Sequence, residues 1–188
     1  MKREPVLGLL RAHLARPLDA NEAAMTAQIV RFVEEHEDCF ERSCLPGHLT
    51  GSAWVVDPSR ERVVLTHHRK LNRWLQLGGH ADGETDLLGV ALREAREEAG
   101  LTRLRPIDAA PFDVDAHRIP ARGEVPEHWH FDLRFLIEAD PAESLVVSDE
   151  SHAVAWVLLA DVERLSPSES MLRMVRKTLR GPADTGRE

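Results

Sequence analysis

Gly79-His80-Ala81-Asp82-Gly83-Glu84-Thr85, and after it Arg93-Glu94-Ala95-Arg96-Glu97-Glu98-Ala99-Gly100-Leu101, concentrate the chemistry of this 188-residue chain. Leu88, Ala91, Leu92, Ala95 and Ala99 recur at helical spacing, which predicts a helix over 87–99 with Gly100 as its C′ stop. On such a helix Glu94, Glu97 and Glu98 stand at i, i+3 and i+4 and share one face within a turn. Carboxylates so close repel one another unless a cation neutralises them, and hard divalent ions such as Mg²⁺ take oxygen ligands of this kind. Arg93 and Arg96 flank the acids and can orient single carboxylates by charge-assisted hydrogen bonds. Upstream, Trp74-Leu75-Gln76-Leu77 reads as a strand running into Gly78-Gly79, where a backbone carbonyl can approach a metal without side-chain obstruction. The same residues also suit an ordinary solvent-facing helix, so residue chemistry alone leaves both readings open.

Before this stretch, residues 6–16 show helical spacing through Val6, Leu9, Leu10 and Leu14. Asp19 with Glu22 forms a capping-box pattern ahead of a second helix, its face lined by Ala23, Ala27, Val30 and Val33 and its end near Glu37-Asp38. Residues 1–45 thus read as an N-terminal helical extension, 46–181 as the main domain and 182–188 as a flexible tail. Strands are expected at 53–56 and 62–66, with Asp57-Pro58-Ser59-Arg60 as the turn between, and within 109–117, 129–138 and 153–158. Ser166-Pro167-Ser168-Glu169 places a cap, a proline at the first helical position and a glutamate. Met171, Leu172, Val175 and Leu179 would be the buried stripe of that last helix. Strands and helices mixed in this way predict an α/β or α+β fold.

Composition narrows the function. The net charge is −8, from 32 acidic against 24 basic residues, which argues against salt-driven attachment to nucleic acid or to an anionic membrane. No apolar run approaches the roughly 20 residues that span a bilayer, and the N-terminus lacks a signal-peptide pattern, so a cytoplasmic protein is expected. Cys39 and Cys44 do not form a C-x-x-C pair and are expected as reduced thiols.

The full stretch 79–101 resembles the Nudix box, G-x5-E-x7-R-E-U-x-E-E-x-G-U with U a bulky aliphatic residue. Gly79, Arg93, Glu94, Glu97, Glu98, Gly100 and Leu101 match. Position 85, where the box has its first glutamate, is Thr85, and the acid stands one residue earlier at Glu84; Ala95 replaces the usual larger aliphatic residue. Leu71-Asn72-Arg73-Trp74-Leu75-Gln76-Leu77-Gly78-Gly79-His80 is similar to a bacterial Nudix subgroup with an N-terminal helical extension. The resemblance implies an α/β/α sandwich with a mixed central sheet. It implies Mg²⁺ or Mn²⁺ held by Glu94, Glu97 and Glu98 with a backbone carbonyl at Gly78-Gly79, and an Arg93 that braces the loop through the first motif glutamate. It also implies attack of a metal-activated water on the diphosphate of a small-molecule nucleoside diphosphate derivative. Glu84 is expected to reach Arg93 through an altered loop while Thr85 or Asp86 caps the helix.

Other residues join the list of candidates. Asp149-Glu150 precede a strand where many family members carry the general base, and Glu150 is preferred. Arg69, in His67-His68-Arg69-Lys70, can meet phosphate, as can His80 of the motif. His128, His130 and Asp132 share a strand face by alternation and, with His117, can line a pocket, assist proton transfer or bind a transition metal. Trp54, Trp74, Trp129 and Trp156 fall in strands and read as core rather than as base-stacking platforms. Two further functions compete: a non-catalytic Nudix-like sensor, which would have no need of the three glutamates, and hydrolysis at RNA 5′ ends, which the acidic charge disfavours. The helical extension has two open roles, covering the active site or joining two chains as a homodimer.

Overall fold

Asp19 accepts a hydrogen bond from the Glu22 amide at 2.8 Å and starts α2 (Ala20–Glu35), as its capping spacing requires. α2 follows α1 (Glu4–Leu14) in a computed structural model that describes residues 2–181; the tail expected at 182–188 lies outside the described residues. The buried face of α2 is Glu22, Thr26, Ile29, Phe32 and Val33; of the expected Ala23, Ala27, Val30 and Val33, only Val33 lies on it. Large side chains with partners take the interior: Phe32 meets Phe131 with ring centroids 4.3 Å apart. Glu22 is buried because His13 Nε2 of α1 lies 2.8 Å from it, and Thr26 Oγ1 donates to the Glu22 carbonyl.

Eight strands follow, with α3 (Leu87–Ala99) between the fourth and fifth. They are β1 (Gly47–Val56), β2 (Arg62–His68), β3 (Arg73–Leu75), β4 (Leu77–His80), β5 (Leu104–Pro106), β6 (Asp113–Ile119), β7 (His128–Ala139) and β8 (Ser151–Leu158). A 3₁₀ turn (Leu159–Asp161), α4 (Val162–Leu165) and α5 (Glu169–Arg180) complete a mixed α/β chain. The strand expected over 74–77 is two strands, because β3 bonds to β2 whereas β4 bonds to β1. β5 is three residues long and has no alternating pattern that would announce it.

The described chain forms two compact units. In the first (2–53, 78–94, 106–136), β1 pairs with β4 and with β7, and β7 pairs antiparallel with β6 in a register that sets Asp115 opposite Asp132 and His117 opposite His130. Leu10, Ile29, Val33, Leu49, Val90, Leu133 and Phe135 are fully buried there.

In the second unit (54–77, 95–105, 137–181), β2 pairs with β8, Val63 opposite Val157, and with β3. Trp54, Val64, Leu101, Ile137 and Met174 form its core. α5 is capped by Ser168, which accepts from the Met171 amide, rather than by Ser166, whose own amide ends α4 on the Val162 carbonyl. Its buried residues are Met171, Arg173, Met174, Val175 and Thr178, and Leu179 is 68% exposed. The Trp54 indole donates to Thr178 Oγ1 at 2.8 Å, which turns the Thr178 side of the helix inward. Among the described residues no helix is long and apolar enough to cross a membrane.

Candidate active site

α3 runs over the residues that its apolar spacing predicts, and Gly100 ends it with φ +70°. Helix geometry places Glu94, Glu97 and Glu98 on one face; Glu98 is buried, Glu94 half-buried and Glu97 exposed. Leu87, Val90, Ala91, Ala95 and Ala99 are the buried apolar positions, so the methyl of Ala95 is fully buried. A Cβ built at Gly79 would stand 2.3 Å from Glu94 Oε1, so the glycine leaves room for that carboxylate where it stands. Carboxylates and backbone carbonyls are oxygen donors of the kind that hard divalent cations take.

Arg93 ties the loop to the helix. Its Nη1 donates to Glu94 Oε1 at 2.6 Å and its Nη2 to the His80 carbonyl at 3.2 Å, and Nε stands 3.9 Å from Glu84 Oε2. The displaced Glu84 therefore does reach Arg93, but through a long contact between partly exposed groups. The Asp86 carbonyl accepts the Val90 amide, which puts Asp86 at the N-cap position.

A second fastening was not legible in the sequence. Arg42 forks onto Asp82, Nε and Nη2 at 2.5 and 2.6 Å from the two carboxylate oxygens, and the Gly83 amide donates to the Phe40 carbonyl. Asp82 holds a left-handed φ of +51°, and the Arg42 hydrogen bonds keep its carboxyl below the usual aspartate range. The loop that carries the motif is thus clamped by the segment that follows α2.

His80 and His130 come together with a third ring that the sequence reading missed. His48, at the start of β1, has ring centroids 5.0 Å from His80, 5.0 Å from His128 and 4.7 Å from His130. His48 is 4% exposed, and burial, reinforced by His80 and His128, lowers its pKa to about 4. Burial likewise holds His130 well below the ordinary histidine range, with His80 and His48 adding to it. Alternation along Gly47–Val56 was the available signal for His48, but nothing local says which strands flank β1.

Asp132 points to a different purpose from that of its neighbours. It accepts from Thr50 and Ser52 and from Arg134 Nε at 2.8 Å, and Arg134 also meets Asp113 and Asp115 at 3.2 Å. Arg134 is 3% exposed, so this is a buried network around one guanidinium.

In the second unit Arg69 and Glu150 meet through backbone: the Arg69 amide donates to the Glu150 carbonyl, and Arg69 Nη2 donates to the Ser151 carbonyl, each at 2.9 Å. Both side chains are exposed. Trp54 is core as expected, and Trp74, Trp129 and Trp156 are half-buried. Cys39 and Cys44 are free buried thiols.

A family model described as the NUDIX domain matches residues 48–177. Among solved structures, a NUDIX-family hydrolase from Clostridium perfringens is 25% identical, with a TM-score of 0.52 over 71% of this chain and 97% of that one. An Ap4A hydrolase from C. elegans, solved as a binary complex, is 18% identical with a TM-score of 0.57 over 70% of this chain and 95% of that one. The NUDIX domain of Shewanella oneidensis NrtR complexed with ADP ribose is 16% identical with a TM-score of 0.51 over 80% and 96%. The last two are likenesses of fold. No curated protein matches the chain.

Proposed function

The chain belongs to the Nudix family and is a hydrolase; we propose that it is a metal-dependent pyrophosphohydrolase that cleaves the diphosphate of a nucleoside diphosphate joined to a second group. The observation that carries this reading is the set Glu94, Glu97 and Glu98 on one helix, with the Gly79 backbone admitted against Glu94. The solved neighbours named for Ap4A and for ADP ribose support a nucleotide-type substrate: an NDP-sugar, ADP-ribose, a dinucleotide or a modified nucleotide.

In this reading Glu94, Glu97 and Glu98, with a backbone carbonyl at Gly78-Gly79, hold Mg²⁺ or Mn²⁺. When bound, such a cation screens the diphosphate charge and lowers the pKa of the attacking water. Arg93 acts as a positioning residue, since its 2.6 Å bond holds the Glu94 carboxylate. Glu150 takes the proton from the water that attacks one phosphorus; the bridging P–O bond breaks and the second phosphate leaves. His80 and His130 of the first unit and Arg69 of the second are each assigned to substrate binding. Residues 1–45 are an extension that steadies the motif loop through Arg42 and Phe40, preceding a hydrolase domain over 46–181. We place the enzyme in the cytoplasm, where two free thiols persist.

A substrate panel with Mg²⁺ and Mn²⁺, read by phosphate release, tests the proposal beside Glu97→Gln and Glu98→Gln. Hydrolysis of at least one class, only with divalent cation and at least about 100-fold weaker in both variants, is the expected result. No turnover on any class, with tight ligand binding indifferent to metal, would replace it with a sensor.

A further inference from the structure

We propose that His48, His128 and His130 form a second metal site, separate from the glutamates of α3, that binds one transition-metal ion of the Zn²⁺ class. Their ligand atoms all lie within 4.8 Å of one another. His128 Nε2 and His130 Nε2 are 3.3 Å apart. Two imidazole nitrogens on a tetrahedral ion at roughly 2.0–2.1 Å are themselves about 3.3–3.4 Å apart, so this spacing is the one an ion imposes.

The alternative is a hydrogen bond between the two rings. It would satisfy those two nitrogens and leave His48 unexplained. Neither ring nitrogen of His48 has a hydrogen-bond partner among the described residues, although the residue is 4% exposed. An unmet imidazole buried in that way is costly, and a shared ion takes one nitrogen from each of the three rings, including one of the two left unmet on His48.

The surroundings orient the ligands as metal sites do. His128 Nδ1 donates to the Pro126 carbonyl at 2.9 Å, which leaves Nε2 with its lone pair. His117, whose Nδ1 meets Asp115 Oδ2 at 3.0 Å, faces His130 with ring centroids 5.6 Å apart. Two strands supply the set, His48 from β1 and His128 and His130 from β7, with His80 of β4 alongside. Nitrogen donors select this ion from Mg²⁺, which prefers the oxygens of α3. Three protein ligands leave a fourth position open. On this assignment His130 serves as a ligand rather than as a direct phosphate contact.

Untagged, metal-stripped protein is titrated with Co²⁺, and the visible absorption of four-coordinate Co²⁺ is followed, with Zn²⁺ as competitor and bound metal counted per chain. One equivalent of Co²⁺, displaced by Zn²⁺, is expected in the natural chain and in Glu97→Gln. His128→Gln and His130→Gln should each weaken binding at least about tenfold. His48→Gln should do the same, and if that buried variant fails to fold the two β7 variants decide. A band that is absent, or unchanged in both β7 variants, overturns the site. Loss of the band in Glu97→Gln alone would put Co²⁺ on α3, which overturns this site and leaves the hydrolase reading standing. Retention of the band without any turnover would do the reverse.

Discussion

A Cβ at Gly79 would fall 2.3 Å from Glu94 Oε1, so a side chain there displaces the Glu94 carboxylate from the position it holds. Gly79→Ala therefore has to move Glu94 or the strand end. Misplacing a catalytic group by about 1 Å costs on the order of 100-fold in rate. Turnover of Gly79→Ala should fall by about that factor, while circular dichroism remains that of a folded chain. Unchanged turnover would show that Glu94 is free to sit elsewhere during the reaction.

Arg134 is the one guanidinium among Asp113, Asp115 and Asp132 in the buried network. Arg134→Met removes the guanidinium that lies within 3.2 Å of all three buried carboxylates. The expected loss of stability is about 3–5 kcal/mol by urea denaturation, partly recovered by adding Asp113→Asn. A loss below about 1 kcal/mol would mean that the carboxylates relax toward water.

Asp57 supplies a pH dependence. Burial alone would raise its pKa, but hydrogen bonds from Ser59 Oγ and from the Arg62 and Glu61 amides more than offset this and lower it. A folded value below the unfolded one, about 3.9, means stability that is present above that pH and lost as pH falls through the folded value. Asp57→Asn should cost about 1–2 kcal/mol at pH 7, with the gap closing as the acid side is approached. Urea midpoints at neutral and acid pH measure it; an equal gap at both would remove the charge from the explanation.

Burial pushes the Cys39 thiol up to about 11 and the Cys44 thiol up to about 12, where Asp38 adds to the effect. Little thiolate exists at pH 8, and the thiolate is the reactive form. A disulfide-exchange reagent should label neither cysteine in the native protein and both after denaturation. Rapid native labelling would show that the segment around residues 39–44 opens readily.

The elements that could be read from sequence are those whose pattern is local. The helix over Leu87–Ala99 and its Gly100 stop follow from spacing and from a residue tolerant of positive φ. The Asp19 cap follows from a three-residue interval. Apart from Val33, the buried face of α2 differs from its apolar count because packing partners selected Phe32 and Glu22. The cap of α5 was set two residues early, since Ser166 and Ser168 offer the same chemistry and the end of α4 uses the first.

By itself the sequence determined that Glu94, Glu97 and Glu98 share a helix face, because helical geometry converts a spacing of three and four residues directly into adjacency. It also determined the family, through a spaced motif that survived the shift of its first glutamate to position 84. Only the tertiary structure decided that Arg42 would clamp Asp82, that Arg134 would gather three aspartates, and that His48 would meet His128 and His130. Those meetings depend on which strands lie side by side and in what register, and a slip of one residue would turn each histidine to the opposite face.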